Sequence, residues 1–346
     1  MLRGVRSGAG IVAVCVACAP PTPPTATRAA RSEPAAPSEV AAEVAAEAVA
    51  EPGRGGRTFR LGASLLHVVL DAESFELGAA PIVDWVLRCA RAVEAYYGAF
   101  PVPEVRLVVS ASRGRGVHGG HTQPGAPPRI DIRVGVHATQ RDLARNWSLT
   151  HELVHLAFPD LARPHLWLEE GLASYVEPIA RARAGALGED EVWRQWLDNL
   201  EVGQPQTGDR GLDHTPTWAR IYWGGALFCF LADLQLRRES GGRLELRDAL
   251  RAIVAAGGNI NQRWPIERAL GVGDAATGTR VLTDLYERMK DAPAPVDLDG
   301  IWRELGVGEH DGELRYDDTA RQAEIRKVFV LGRPAPAGQL EGARGR

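Results

Sequence analysis

The stretch ATQRDLARNWSLTHELVHLAFP, residues 138–159, sets two histidines and a glutamate inside an apolar helical pattern. That conflict constrains the fold more than any other feature of the chain. Leu143, Trp147, Val154 and Phe158 share one helical face, while Leu149, Leu153 and Leu156 carry the apolar character round the rest, so the helix is predicted to be buried. Thr139 with Asp142 has the form of a capping box at its start, and Pro159 closes it. Burying bare imidazoles and a carboxylate costs on the order of several kcal/mol, so His151, Glu152 and His155 need partners. One reading is a core helix whose polar groups are satisfied locally. The other follows from spacing: residues four apart lie on one helical face, so both rings reach a single ion and Glu152 reaches a water on it.

Composition narrows the setting. A chain of 346 residues has room for one large or two small domains with a sizeable core. A net charge of −4 and a pI of about 6.2 give no support to a nucleic-acid partner. The N-terminus reads as a targeting segment, with Arg3 and Arg6 ahead of the short apolar run IVAVCVACA. Ala17-Cys18 followed by APPTPPTAT has the look of a bacterial lipoprotein cleavage site, although Cys15 stands where Leu, Val or Ile is usual. The expectation is an exported protein: a lipoprotein of the cell envelope, attached to a membrane only through a lipid on Cys18, or a secreted protein if ordinary cleavage after Ala19 applies. Cys89 and Cys229 sit in apolar helical contexts and read as buried free thiols, with a disulfide between them left open.

Residues 19–57, rich in Pro, Ala and Glu, read as a flexible linker after a signal segment at 1–18. Strands are predicted at LLHVVL, EVRLVVS and RIDIRVGV, a helix at 81–97, and a Gly-rich loop, GRGVHGGHTQPGAPP, before the third strand. His118 and His121 in that loop read as loop polar groups or as a flap near a cleft. After HELVH, a helix is predicted from Leu166 to Glu177, ended by Pro178. A strongly apolar helix, WARIYWGGALFCFLADLQLRRES, and several short helices follow. Strands first and helices afterwards indicate an α+β domain at 58–305, with the sheet and metal-bearing helices in 58–180 and a helical part in 181–305. Residues 306–346 read as a partly disordered extension holding a hairpin of ELRYDD with EIRKVFVL.

Catalytic zinc usually takes three protein ligands and keeps one position for water. Glu169 and Glu170 both follow the histidines, in PHLWLEEGLASYVE, and adjacent helical residues diverge by roughly 100°, so only one faces the ion. Ser174 and Glu177 share Glu170's face and are candidates to hold the histidine rings.

HELVH followed by WLEEGLASYVE resembles the gluzincin zinc metallopeptidases, with EGLASYVE close to the aminopeptidase N and leukotriene A4 hydrolase type, and ALFCFLADLQLRRESGGRLELRDALRAI is similar to the helical part of glycyl aminopeptidase-like peptidases. The resemblance covers roughly residues 130–305. It implies a zincin-like fold, zinc on His151, His155 and Glu170, and Glu152 as general base. The segment RIYWGGA resembles the family's Y-x-x-G-A, which implies that Tyr222 stabilises the oxyanion; Gly224 stands where the family often has lysine. The family's G-x-M-E-N loop is absent, so exo- and endopeptidase action both stay open. Fourteen residues separate His155 from Glu170, a shorter loop than in the large aminopeptidases. The implied function is a zinc metallopeptidase acting on a peptide or protein. The strand RIDIRVGV is expected to border the cleft and pair with that substrate. The rival reading is a non-catalytic envelope lipoprotein that uses the same fold as a binding or scaffold module.

Overall fold

The computed structural model describes residues 49–50 and 56–333. The expected signal segment, Cys18, most of the expected linker and residues 334–346 lie outside the described residues.

Six strands form one sheet: β1 (Val49–Ala50), β2 (Gly56–Leu61), β3 (Ser64–Leu70), β4 (Glu104–Ser112), β5 (Val117–Gln123) and β6 (Arg129–Gly135). Their order is β1-β2-β3-β4-β6-β5. β3, β4 and β6 are parallel, and β2 and β5 are antiparallel to their neighbours β3 and β6. A parallel pair needs a crossover, and the helix α1 (Ala79–Tyr97) supplies it between β3 and β4. Alternate residues along the strands are buried: Leu66, Val68 and Leu70 on β3, Val105, Leu107 and Val109 on β4, Ile130, Ile132 and Val134 on β6.

Two expectations change here. The Gly-rich segment contains a strand, β5, whose few apolar residues hide its period. β5 and not β6 is the sheet edge; β6, RIDIRVGV, lies between β4 and β5.

The predicted helix over 139–158 is two helices, α2 (Gln140–Arg145) and α3 (Ser148–His155). The break comes from Asn146, whose Oδ1 accepts the Ser148 N–H at 3.0 Å and so competes with the helical pattern. The capping box forms as expected: the Asp142 N–H donates to Thr139 Oγ1 at 3.2 Å, and the Thr139 N–H to Asp142 Oδ2 at 2.9 Å. α3 lies against β5 and β6. α4 (Leu166–Arg183) runs through Pro178 instead of stopping at Glu177. Burial of Val176, Ile179, Ala180 and Ala182 on both sides of the proline holds the helix together where the missing N–H would weaken it.

α5 (Glu189–Asn199) is followed by a long connection to a π-helical turn, Arg220–Gly224, that leads into α6 (Gly225–Ser240). Gly241, at φ 61°, closes α6 in the left-handed region. α7 (Leu246–Ala255), α8 (Ile266–Thr277), α9 (Val281–Met289) and α10 (Leu298–Leu305) complete the helical part. α4 and α6 cross at Gly171 and Gly225. A β-carbon on Gly171 would fall on the Gly225 backbone, and one on Gly225 against the Trp167 carbonyl oxygen.

Past residue 305 a hairpin forms, but from β7 (Val307–His310) and β8 (Glu313–Tyr316), while EIRKVFVL contributes the short helix α11 (Ala323–Lys327). Phe329 and Val330 are fully buried, Phe329 against Trp193, Trp196 and Phe230. Residues up to 330 therefore pack with the domain. Cys89 and Cys229 are both free and buried.

Candidate metal centre

α3 and α4 bring three donor groups together. His151 and His155 lie four residues apart on α3, their ring centroids 4.9 Å apart. Glu170 sits in the second turn of α4 and points back at both. Its Oε2 is 3.1 Å from His151 Nε2 and 3.6 Å from His155 Nε2. One donor atom from each of the three lies within 4.8 Å of the others. Tetrahedral zinc with ligand bonds near 2.0–2.1 Å sets its donors roughly 3.3 Å apart, so these separations suit it, as does the two-histidine, one-carboxylate donor set.

Electrostatics follow from burial and proximity. Burial works to lower the basicity of His155, but Glu170, with Glu152 and Glu169, outweighs it and pushes the imidazole up to about 9. Burial pushes the Glu170 carboxyl up, and the two histidines pull it well below the usual carboxylate range. The triad thus attracts positive charge, in the form of protons or of a metal cation.

The choice between adjacent glutamates is resolved by geometry. Glu169 Oε1 accepts the Leu161 N–H at 3.1 Å and holds the loop before α4; burial pushes its carboxyl up to about 7. The expectation that Ser174 and Glu177 hold the histidine rings is not met. Glu177 accepts from Arg181 at 2.7 Å, and the buried His151 Nδ1 has no hydrogen-bond partner among the described residues.

Glu152 lies beside the triad on α3. Thr122 Oγ1, on β5, is 2.6 Å from Glu152 Oε2 and 2.9 Å from the Glu152 carbonyl oxygen. Tyr222 approaches from the π turn, its ring stacked beside His151 at 6.2 Å and against Trp218 at 5.8 Å. The turn is anchored by Arg220, which forms a buried ion pair with Asp209 at 2.8 Å, off the line of a hydrogen bond, and donates to the Gly203 carbonyl oxygen. π turns often occur at functional positions. Trp147, 39% exposed, sets its edge against His151 at 5.3 Å.

Other histidines stand apart. His118 and His121 fall on β5 and are not in the metal-competent group. His165 Nδ1 is 3.1 Å from Asp213 Oδ1, which also accepts from Trp167 Nε1, while Tyr286 donates to Asp213 Oδ2. That network fixes the start of α4. Sequence reasoning missed Thr122, Trp147 and Arg220. The signal for Thr122 was the alternation of Gly120 and Thr122 within VHGGHTQ, legible only once that segment is read as a strand.

The chain aligns with the crystal structure of an aminopeptidase N family protein from Idiomarina loihiensis at 13% identity, with a TM-score of 0.54, over 73% of this chain and 49% of that one. The fold is zincin-like. Two structures of an M1 zinc metallopeptidase from Deinococcus radiodurans align over 70% of this chain and 52% of theirs. The first has 17% identity and a TM-score of 0.45; the second, a variant bound to a Tyr-Ser-Ala substrate, has 18% and 0.46. The chain spans about half the length of these solved structures. No family model and no curated protein matches it.

Proposed function

We propose that the protein is a zinc-dependent metallopeptidase. The observation that carries this is the convergence of His151, His155 and Glu170 donor atoms within 4.8 Å, with the Glu152 carboxylate alongside. In this reading His151, His155 and Glu170 hold the metal. Zinc bound there would supply Lewis-acid polarisation and would lower the pKa of a water on it toward about 7. Glu152 accepts the proton of the attacking water and passes it to the leaving amine, so that the amine departs neutral. Tyr222 donates its hydroxyl to the oxygen that gains charge as the carbonyl becomes tetrahedral. An extended peptide pairs with the open edge of β5, the role first expected of β6.

Export, with a lipid on Cys18, belongs to the same proposal and concerns residues outside those described. Among the described residues no helix is long and apolar enough to cross a membrane.

The test is Glu152→Gln. This variant is expected to retain stoichiometric zinc and the wild-type circular dichroism spectrum but not to cleave a mixed peptide library that the wild type is expected to cleave. Full activity in the variant refutes the assignment. Cleavage positions in the library separate exo- from endopeptidase action. A wild type that holds zinc yet cleaves nothing favours the scaffold reading.

A further inference from the structure

Glu152 is held from outside its own helix. Gly120 and Thr122, two apart on β5, face α3 together. A β-carbon on Gly120 would lie 2.7 Å from Glu152 Cγ and 2.9 Å from Ile132 Cδ1, so only glycine leaves room for the glutamate stem. Two residues on, the Thr122 hydroxyl meets the carboxylate at 2.6 Å. Thr122 is 9% exposed, so water competes poorly for this contact. The strand is itself fixed: Thr122 pairs with Ile130 of β6, and the turn beyond is tied down by Gly125, whose N–H donates to Asn261 Oδ1 at 2.8 Å.

We propose that Thr122 is a positioning residue for Glu152, with Gly120 providing the space it requires. The inference rests on the reading of Glu152 as general base. A threonine hydroxyl has one proton to donate. Given to Oε2, it leaves the Oε1 lone pairs to receive the proton of the attacking water and fixes the carboxylate plane. Once Glu152 carries that proton, the same hydroxyl has a second acceptor within reach, the Glu152 carbonyl oxygen at 2.9 Å. The hydroxyl therefore has a partner in both protonation states of the base. The pair Gly120–Thr122 does this from the strand proposed to bind substrate, so base and substrate are referenced to one element.

The experiment compares Thr122→Val, which keeps the shape and removes the hydroxyl, with Thr122→Ser, which keeps the hydroxyl. T122V is expected to lower kcat by roughly tenfold to a hundredfold with KM and zinc content unchanged, and T122S to stay within about threefold of wild type. A readout independent of turnover is affinity for a hydroxamate-capped peptide, whose acidic N–OH hands its proton to the base; T122V weakens it about tenfold and T122S does not. Thr122→Ala serves if T122V misfolds. Wild-type kcat in T122V or T122A overturns the proposal, as does an equal loss in T122S. A wild type that cleaves nothing removes the underlying reading and this inference with it. A wild type that cleaves, with T122V unimpaired, removes this inference alone.

Discussion

Glu169 and Glu170 are neighbours in sequence and differ in chemistry, because α4 turns one toward the Leu161 backbone and the other toward two imidazoles. The consequence for metal uptake can be measured. In the metal-free protein His155 has a basicity raised to about 9, so it is protonated below that pH. A metal has to displace this proton, and its affinity therefore rises with pH, about tenfold per unit for one proton, and levels off above about 9. Competition titrations against a zinc chelator from pH 6 to 10 check it; an affinity independent of pH contradicts it. Tyr222→Phe removes a hydroxyl while leaving the ring stack on His151. It is expected to lower kcat on the order of a hundredfold with little change in KM, and an unchanged kcat removes Tyr222 from the reaction. At this scale His151, Glu152 and His155 stood out because their residue types are costly in apolar surroundings, whereas Glu170 over Glu169, and Tyr222, were singled out only by the resemblance to a known family. Thr122 was not: a threonine in a Gly-rich run carries no such cost, and its role exists only where β5 meets α3.

Between elements, the close crossing of α4 and α6 sets the distance from Glu170 to Tyr222. Gly171 follows Glu170 directly, and Gly225 comes three residues after Tyr222. Both glycines are in helices, where alanine is the better helix former; contact between backbones is the reason they are there. Gly171→Ala is expected to lose about 1–3 kcal/mol through overpacking. It is also expected to weaken zinc binding, because α4 moves its carboxylate away from α3. Urea unfolding with a parallel zinc titration checks both, and a variant as stable as wild type shows that the crossing can relax. Helix existence was readable from periodicity, whereas helix limits were not. Asn146 breaks a continuous apolar pattern with one side-chain hydrogen bond, and Pro178 fails to break another because both flanks are buried. The π turn at Arg220–Gly224 is invisible to a 3.6-residue period, since α6 is buried on nearly every face and offers no stripe whose phase a surplus residue could shift.

Across the molecule, Glu245 joins distant parts. Its carboxylate accepts from Arg183 at 3.0 and 2.8 Å and from Arg237 at 2.5 Å. Burial raises its pKa, but Arg183, Arg237 and Arg247 outweigh that and bring it down to about 2. A carboxyl depressed in the folded state stabilises the protein above its unfolded value, near 4.3, and that contribution disappears as pH falls toward 2. The loss is on the order of 3 kcal/mol. Thermal melts between pH 2 and 6 are expected to show it, with the acid slope flattened in Glu245→Gln; an equally steep slope in that variant places the acid sensitivity elsewhere. The α+β class was legible from the order of strands and helices. The packing of the segment after residue 305 was not, because VFVL reads as part of a strand, whereas Phe329 and Val330 enter the core from the turn after α11. Those two residues also give the chain a schedule. Arg237 donates to the Val328 and Phe329 carbonyls and Arg183 to that of Val330, so α4 and α6 are clamped by a segment made some 90 residues later than α6. In chain order the sheet is complete at Gly135, so the clamp on α4 and α6 is made only after every strand and helix up to α11.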